Sequence, residues 1–145
     1  MDTHQQPTHH HSLDPDVLRV PPGQTAALGA WGEDLAVRHL VRDDGLVVVA
    51  RNWRIRSGEL RGELDVVAVS EAAGIIVICE VKTRRDAARF GGAVTAVSPK
   101  QHARIRALSA AFLREASLPF RKVRLDLVAI DVGRRPTLTH LEGAL

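Results

Sequence analysis

The order of helical and extended patterns in this 145-residue chain predicts an α/β fold, a mixed β-sheet flanked by helices. A helical pattern comes first, three β-rich runs follow within residues 46–82, and a second helical pattern precedes a further strand. Strands joined by short turns pair antiparallel, whereas a helix between two strands favours parallel pairing. The sheet should therefore contain both kinds of pair, within one domain of ordinary size.

The amino-acid composition indicates which kinds of partner and which cellular location to expect. The chain is 45% hydrophobic, 17 of its 20 basic residues are arginine, and its pI is about 9.7. Arginine matches phosphate with a planar fork, which favours a polyanionic partner, but a GC-rich genome explains the same bias equally well. The single cysteine, Cys79, lies in an apolar run, so a reducing, cytoplasmic location is expected. No apolar run approaches roughly 18 residues, so no membrane partner is expected.

The N-terminal segment is rich in Gln, Pro, His and Asp, has little apolar content and ends in Pro-Pro-Gly. This composition predicts a flexible tail over residues 1–23, followed by a folded domain over residues 24–145. The tail contains three adjacent histidines, His9 to His11, which could chelate a metal. Histidines in a tail are more often solvated, so they are not counted as a site.

The first helix is predicted over residues 25–42, where Leu28, Trp31 and Leu35 recur at three- and four-residue spacing. Gly45 follows as a typical stop. A helix of this pattern buries one apolar face, so it should pack against the sheet.

Three extended segments come next. A β-rich run covers residues 46–54, and a hairpin turn is predicted over residues 56–62 because of its Ser-Gly pair. Residues 63–70 and 75–82 are separated by a short Glu-Ala-Ala-Gly segment, which predicts an antiparallel hairpin. Both runs are apolar on both faces, so they should be central strands.

The C-terminal half repeats the alternation of helix and strand. A glycine-containing loop over residues 83–97 leads to a helix over residues 98–117, which starts with Ser-Pro, an N-cap followed by proline at the first helical position. A strand is predicted over residues 123–131, and residues 137–141 are a candidate for a last strand.

Charged residues stand at the ends of the two most apolar strands. Glu63 and Asp65 begin one of them. Glu80 and Lys82 end the other. In an antiparallel hairpin these two ends meet, and side chains two residues apart share a face. Carboxylates that converge in a small volume repel one another and are costly to desolvate.

A bound divalent cation would remove that cost, and carboxylate oxygens suit Mg²⁺ or Mn²⁺. Lys82 would then lie beside the ion, where it could stabilise charge on a phosphoryl oxygen. The alternative is an ordinary ion pair between Glu80 and Lys82, worth roughly 0–1 kcal/mol if exposed. The added presence of Asp65 favours the metal site.

Asp65 followed by Glu80-Val81-Lys82 resembles the PD-(D/E)xK motif of restriction-endonuclease-like nucleases. Further motifs follow in the order seen in the YraN-like family of small bacterial proteins, which is similar to archaeal-type Holliday-junction resolvases. These motifs are AWGEDLAVRHL at 30–40, ARNWR at 50–54, GELDVVAV at 62–69, ICEVKTR at 78–84, the Gly-Gly pair at 91–92 with VSPK at 97–100, and VRLDLVAI at 123–130. The resemblance runs from the first helix to the late strand and implies a restriction-endonuclease-like fold.

The resemblance also implies roles for individual residues. Asp65 and Glu80 would be the ligands of Mg²⁺ or Mn²⁺, and Lys82 the catalytic lysine. Glu33 would be an additional catalytic acid. The alternative for Glu33, a first-turn carboxylate that faces water, has equal weight.

Three further positions match the family motifs. Glu63 either joins the metal ligands or pairs with an arginine. Asn52 is expected to have a structural role in a turn. Asp126 is expected to pair with Arg124 or another neighbour.

The segment from residue 82 to residue 106 is strongly basic, with Asp86 as its one acid. Such a segment could hold a phosphodiester backbone without reading bases. The candidate nucleic-acid-binding residues are Arg84, Arg85, Arg89, Lys100 and Arg104. For Lys100, the alternative is a solvated lysine. No helix-turn-helix or zinc-finger spacing is present, which argues against sequence-specific readout.

Three functions are compatible with these features. The first is a metal-dependent endonuclease that acts on DNA, especially branched or structured DNA, through metal-activated water. The second is a non-catalytic nucleic-acid-binding module of the same fold, acting in DNA repair, recombination or uptake. The third is a structural protein in which the acids and the lysine form ordinary ion pairs. Symmetrical cutting of a two-fold junction would require two active sites and hence a homodimer.

Overall fold

The computed structural model describes residues 7–13, 19–56, 58–85, 97–120 and 122–145. Over these ranges the chain forms two helices and six strands. In chain order they are β1 (Thr8–Ser12), α1 (Ala26–Arg42), β2 (Val47–Arg54), β3 (Glu63–Ser70), β4 (Ile75–Arg84), α2 (Pro99–Ala116), β5 (Lys122–Asp131) and β6 (Thr137–Leu141). The described strands form one sheet in the order β1-β6-β5-β4-β3-β2.

The sheet is mixed, as predicted. The pairs β2–β3 and β3–β4 are antiparallel, because each is joined by a short connection. The pair β4–β5 is parallel, because α2 carries the chain back between them. Antiparallel β6 and β1 complete the edge. The α/β, restriction-endonuclease-like fold class is therefore confirmed, and so is the last strand.

Each helix starts at a polar cap. Thr25 caps α1, and its side chain accepts a hydrogen bond from the Leu28 N–H. Ser98 caps α2 through a capping box with Gln101, and Pro99 occupies the first helical turn. These caps satisfy backbone N–H groups that a helix start leaves unpaired. The predicted starts of both helices are therefore correct to within a residue.

Two hydrophobic cores lie on opposite faces of the sheet. On one face α1 packs through Leu35, Ala36 and Leu40 against alternate residues of the central strands. On the other face α2 packs through Ile105, Leu108 and Phe112. Both faces of β3 and β4 are consequently buried, which confirms their central position. Within the described ranges, neither helix has the length and hydropathy needed to cross a bilayer.

The prediction of a flexible tail needs correction for residues 8–12. These residues form β1 and pair antiparallel with β6, from Thr8 opposite Leu141 to Ser12 opposite Thr137. Apart from Thr8, this His-rich run lacks the β-branched and large aromatic residues that indicate a strand. The exposed edge of β6 supplies unpaired backbone groups, and β1 satisfies them. This pairing depends on a distant segment, so the local pattern could not reveal it.

The strand that carries the Glu-x-Lys motif is longer than predicted. β4 continues through Thr83 and Arg84, which pair with Ile130 and Asp131 of β5. The basic segment therefore leaves the sheet two residues later. This extension places Thr83 beneath α1, where it matters for the position of Glu33.

Candidate active site

The candidate site lies where β3 and β4 separate. The register of this pair ends with Val66 opposite Cys79, so Asp65 and Glu80 lie just beyond the last paired residues. The backbone N–H of Val81 instead donates to Asp65 Oδ2 at 2.8 Å. The Asp65 carboxylate thus replaces the backbone carbonyl that would accept this hydrogen bond in a regular pair of strands. The bond holds the carboxylate at the end of the paired region.

A local twist in β3 and in the neighbouring edge strand β2 turns Asp65 toward α1. Leu64 and Val67 both pack in the core beside α2, although an odd spacing should put them on opposite faces. In the neighbouring strand, Asn52 has a φ of 50°, a left-handed conformation that asparagine tolerates better than most residues. The structural role predicted for Asn52 therefore corresponds to this irregular backbone.

Three carboxylates converge at the twist. Glu33 of α1, Glu63 and Asp65 each place a carboxylate oxygen within 4.8 Å of the other two. The Asn52 side chain hydrogen-bonds Glu33, and Arg54 Nε donates to Glu63 Oε2 at 2.7 Å. Glu33 therefore points to the cluster, and Glu63 both pairs with an arginine and joins the acids. We call Glu33, Glu63 and Asp65 the acidic cluster.

Glu80 and Lys82 lie beside the acidic cluster. Lys82 Nζ is 3.3 Å from Glu80 Oε1, and their side chains are 16% and 8% exposed. Asp65, Glu80 and Lys82 line one open cleft of about 660 Å³, together with Glu63 and Arg104. The structure thus brings the three motif residues together in a cleft that solvent can enter.

Nearby positive charges do not fully balance the negative charges of the carboxylates in and beside the cleft. Burial, and then the charge of Glu80, raise the pKa of Asp65 to about 8. The charge of Glu33 adds to the shift, whereas the Val81 N–H and Lys82 oppose it. Burial and a neighbouring glutamate also raise the pKa of Glu33. Near neutral pH the cleft therefore favours a proton or a cation over free carboxylates.

The donor set fits a hard divalent cation. Asp65 and Glu80 are the predicted ligands, and the structure adds Glu33 and Glu63 as neighbouring oxygen donors. Opposite ligands of Mg²⁺, each bonded at about 2.1 Å, are up to about 4.2 Å apart. Small rotamer adjustments would bring the oxygens of the acidic cluster into that range.

The predicted nucleic-acid-binding residues differ in whether they lie at the cleft. Arg104 of α2 lines the cleft and lies over Gly62, where a Cβ would be 3.1 Å from Arg104 Cδ. Gly62 also has a φ of +110°, so this turn requires glycine for both conformation and space. Lys100 is exposed in the first turn of α2, and Arg84 is exposed at the end of β4. Arg104 is thus the predicted phosphate contact that lies in the cleft.

Arg85 has structural partners. Its side chain donates to the carbonyls of Pro21 and Gly23, and its backbone N–H donates to Gln24 Oε1. These bonds anchor the segment before α1 and occupy donors that were expected to face phosphate. Arg89 lies outside the described residues.

The end of β2 and the turn that follows it contribute basic residues that the sequence reasoning missed. Arg54, Arg56 and Arg61 line the same cleft as the acids. The signal was present in RNWRIRSGELRG at 51–62, which contains four arginines. Interpreting this segment as a simple hairpin turn left its charge out of account. We call Arg56, Arg61 and Arg104, which are all exposed at the cleft, the basic rim.

Asp126 lies in a separate, buried network. Arg124 Nε and Nη2 donate to its two carboxylate oxygens at 2.9 Å each, as expected for this pair. His140 Nε2 lies 2.7 Å from Asp126 Oδ2, and the Gly143 N–H donates to Oδ1 at 2.9 Å. Burial opposes ionisation, but these hydrogen bonds outweigh it and hold the pKa of Asp126 below its usual value.

The raised pKa of Asp65 predicts a pH-dependent stability in metal-free buffer. The folded protein holds this proton more tightly than the unfolded chain does, so the contribution of Asp65 to stability is full below about pH 4 and is lost as the pH rises through about 8. The loss should reach up to about 1.4 kcal/mol per pH unit. Asp65→Asn keeps an acceptor for the Val81 N–H and should remove most of this slope. Chemical unfolding at pH 5 and pH 8 measures it.

The control for this experiment is Glu71→Gln, an exposed change in the β3–β4 turn. It should leave the pH dependence of unfolding as in the parent protein. Equal slopes for the parent and Asp65→Asn would show that Asp65 is not the group that titrates.

Comparisons with known proteins agree with the motifs. The family model of the uncharacterised protein family UPF0102 matches residues 32–130, a range that includes Glu33, Asp65, Glu80 and Lys82. A UPF0102 protein of Mycolicibacterium gilvum (strain PYR-GCK) is 47% identical over 120 residues, which cover 81% of this chain and 93% of the relative. A UPF0102 protein of Nocardia farcinica (strain IFM 10152) is 43% identical over 123 residues, which cover 83% and 91%. The chain therefore belongs to the UPF0102 family, the YraN-like group that its ordered motifs indicated.

Proposed function

We propose that this protein is a metal-dependent endonuclease that acts on DNA, with branched or otherwise structured DNA as its substrate. The observation that carries the proposal is one cleft lined by Asp65, Glu80, Lys82 and the basic rim, with Glu33 and Glu63 close to the Asp65 carboxylate. Acids that share a cation and a lysine beside them are the groups that phosphodiester hydrolysis requires.

Each residue of the cleft would have its own role in phosphodiester hydrolysis. A bound Mg²⁺ or Mn²⁺ would supply a hydroxide-like nucleophile and neutralise charge on the phosphate. Asp65 and Glu80 would hold the ion, and Glu33 and Glu63 would complete the negative field that attracts it. Lys82 would donate to a phosphoryl oxygen as negative charge develops there. The basic rim would hold the backbone on either side of the scissile bond.

The proposed substrate follows from the side chains that the cleft presents to DNA. Apart from Lys82, its described basic side chains are arginines from the end of β2, the following turn and α2, which suit backbone phosphates. Trp53 packs edge-on against Phe112 with ring centroids 5.3 Å apart and is not among the described residues that line the cleft, so it provides no stacking surface there. A protein that contacts backbone phosphates recognises the path of the DNA backbone. We therefore expect the cleft to select the shape of the DNA and not its base sequence.

The direct experiment is a cleavage assay on linear, nicked, flapped and four-way DNA of matched sequence, with Mg²⁺, Mn²⁺ or EDTA. The expected result is metal-dependent cleavage that is faster on branched substrates. Paired, symmetrical cuts in the four-way DNA, together with a dimeric mass by sedimentation, would agree with a homodimer. The absence of cleavage on every substrate with both metals would count against the enzyme.

One observation favours a second function, a non-catalytic DNA-binding module. Lys82 Nζ lies 3.3 Å from Glu80 Oε1, and both side chains are largely buried. This contact balances their two charges without a metal. The same cleft would then bind DNA through its arginines and leave the phosphodiester intact.

Both functions predict that the basic rim binds DNA. Replacing Arg56, Arg61 and Arg104 together by Ala should weaken binding to all sequences alike in metal-free buffer. The slope of log K against log salt should become shallower by roughly 0.9 for each phosphate that the variant no longer neutralises. Fluorescence anisotropy over a range of salt concentrations measures both effects.

The matched control carries three arginine changes away from the cleft, Arg38→Ala, Arg42→Ala and Arg114→Ala, all at positions where the side chain reaches solvent. It removes the same total charge and should keep the parent salt slope. If the two triple variants behave alike, net charge explains the binding and the basic rim is not the interface.

A further inference from the structure

A second cluster of ionisable side chains lies where the end of α1 meets β6. It consists of His39 in α1, Asp44 in the following turn and His140 in β6. The two histidines are 4% and 0% exposed. His39 is six residues beyond Glu33, about 9 Å along the helix. The cluster is therefore separate from the proposed cleavage site.

Three atoms of this cluster form a compact triangle. His39 Nε2 lies 3.0 Å from His140 Nδ1. Asp44 Oδ2 lies 3.2 Å from His140 Nδ1 and 3.6 Å from His39 Nε2. A tetrahedral zinc ion bonded at about 2.0–2.1 Å separates its ligand atoms by roughly 3.3–3.4 Å. Two of the three distances between these atoms are slightly shorter than this separation and one is slightly longer. The side chains would therefore need to move little to bind a zinc ion.

The outer nitrogen of each histidine faces a carboxylate. His39 Nδ1 lies 2.8 Å from Asp43 Oδ2, and His140 Nε2 lies 2.7 Å from Asp126 Oδ2. A carboxylate accepts hydrogen bonds, so each outer nitrogen carries a hydrogen. In a neutral ring the inner nitrogen then presents a lone pair. Metal-ligating histidines commonly have such a carboxylate on their second nitrogen.

With neutral rings, three electron-pair donors face one another inside the protein. The inner nitrogens of His39 and His140 carry no hydrogen, and Asp44 Oδ2 has no hydrogen-bond partner among the described residues. Buried lone pairs in such proximity cost free energy unless a cation lies between them. A proton on one ring would relieve one edge of the triangle, whereas a metal ion would satisfy all three atoms.

We propose that His39, Asp44 and His140 bind a transition-metal ion of the Zn²⁺ class. Two imidazoles and one carboxylate are typical zinc ligands, whereas Mg²⁺ prefers an all-oxygen set. A water completes the coordination. The ion joins α1, the following turn and β6, and so stabilises the fold.

The test uses the full chain without an affinity tag, stripped with EDTA and titrated with Co²⁺ as a spectroscopic substitute for Zn²⁺. One equivalent of Co²⁺ should produce the strong visible absorption of tetrahedral coordination. Zn²⁺ should displace it, and Mg²⁺ should not. Zn²⁺ should also raise the melting temperature. Absence of stoichiometric binding, or equal displacement by Mg²⁺, would overturn the proposal.

Variants identify the ligands. Asp44→Asn lies in a turn, so it should fold, as circular dichroism can check, and it should weaken Co²⁺ binding by at least about 10-fold. His140→Gln should abolish the visible absorption. The control His9→Gln with His10→Gln removes two other histidines and should bind Co²⁺ like the parent protein. Binding that is insensitive to Asp44→Asn, or abolished in the His9 and His10 control, would assign the metal elsewhere.

Discussion

Asp65→Asn should remove Mg²⁺-dependent cleavage and leave metal-free DNA binding intact or slightly tighter. The change keeps the size of the side chain and an acceptor for the Val81 N–H, but it removes a charge that a hard dication requires. We expect cleavage to fall by more than about 100-fold, because changing a residue that only supports a metal ligand already costs roughly 10–100-fold. Binding persists because Asp65, with a pKa of about 8, is largely protonated near neutral pH without metal, so the variant removes little charge, and any charge that it removes would repel phosphate.

Lys82→Ala should separate metal binding from chemistry. In the proposed mechanism Lys82 acts on the phosphoryl oxygen and does not hold the ion, so Mg²⁺ affinity measured by calorimetry should survive. The cleavage rate should fall by on the order of 10²–10³, the cost of removing one group that stabilises transition-state charge. Removing the amine that lies 3.3 Å from Glu80 also frees this carboxylate, so Mg²⁺ affinity is expected to be equal or higher.

The activities of both variants are measured by single-turnover cleavage of the preferred DNA, with Glu71→Gln as the charge-matched control for Asp65→Asn. The control should cleave at the parent rate. The same trace of cleavage in the parent, Asp65→Asn and Lys82→Ala, over a range of Mg²⁺ and Mn²⁺, would identify a contaminating nuclease. The DNA-binding module would then replace the enzyme as the proposed function.

Gly32→Ala should destabilise the protein and misplace Glu33. A Cβ on Gly32 would overlap Thr83 Oγ1 and lie 3.0 Å from Thr83 Cβ, so the Thr83 side chain would have to rotate or α1 would have to move away from β4. Overpacking of this kind typically costs about 1–3 kcal/mol, and the severity of this overlap places the expected decrease near the upper end of that range. The melting temperature should fall by on the order of 10 °C. Cleavage should fall too, since Glu33 is the next residue.

Gly29→Ala is the matched control on the same helix. A Cβ there meets nothing within 4 Å, so the higher helix propensity of alanine should stabilise the protein by up to about 1 kcal/mol. Thr83→Ala should partly rescue Gly32→Ala, because it removes the oxygen that the new methyl group meets. Equal melting temperatures for the two glycine variants would show that α1 and β4 do not pack tightly at this point.

Local pattern was sufficient for most elements of the fold. The Ser-Pro start of α2 and the apolar runs of β3 and β4 act within a few residues, so sequence order and periodicity reveal them. The meeting of Asp65 with Glu80 and Lys82 was predictable for the same reason, because a short turn and a period of two fix which strand ends adjoin. The YraN-like motifs added Glu33, whose direction in space periodicity alone does not define.

Contacts between distant segments were decided by the tertiary structure. Arg85 anchors the segment before α1, and the twist opposite Asn52 turns Asp65 toward the helix. His39 and His140 are 101 residues apart in the chain, yet they meet because α1 packs over β6. Hydrophobic periodicity specifies which face of an element is buried, but not which polar side chains of two elements become neighbours. That choice depends on the packing of the whole sheet, because the chain between two distant residues sets where each of them lies.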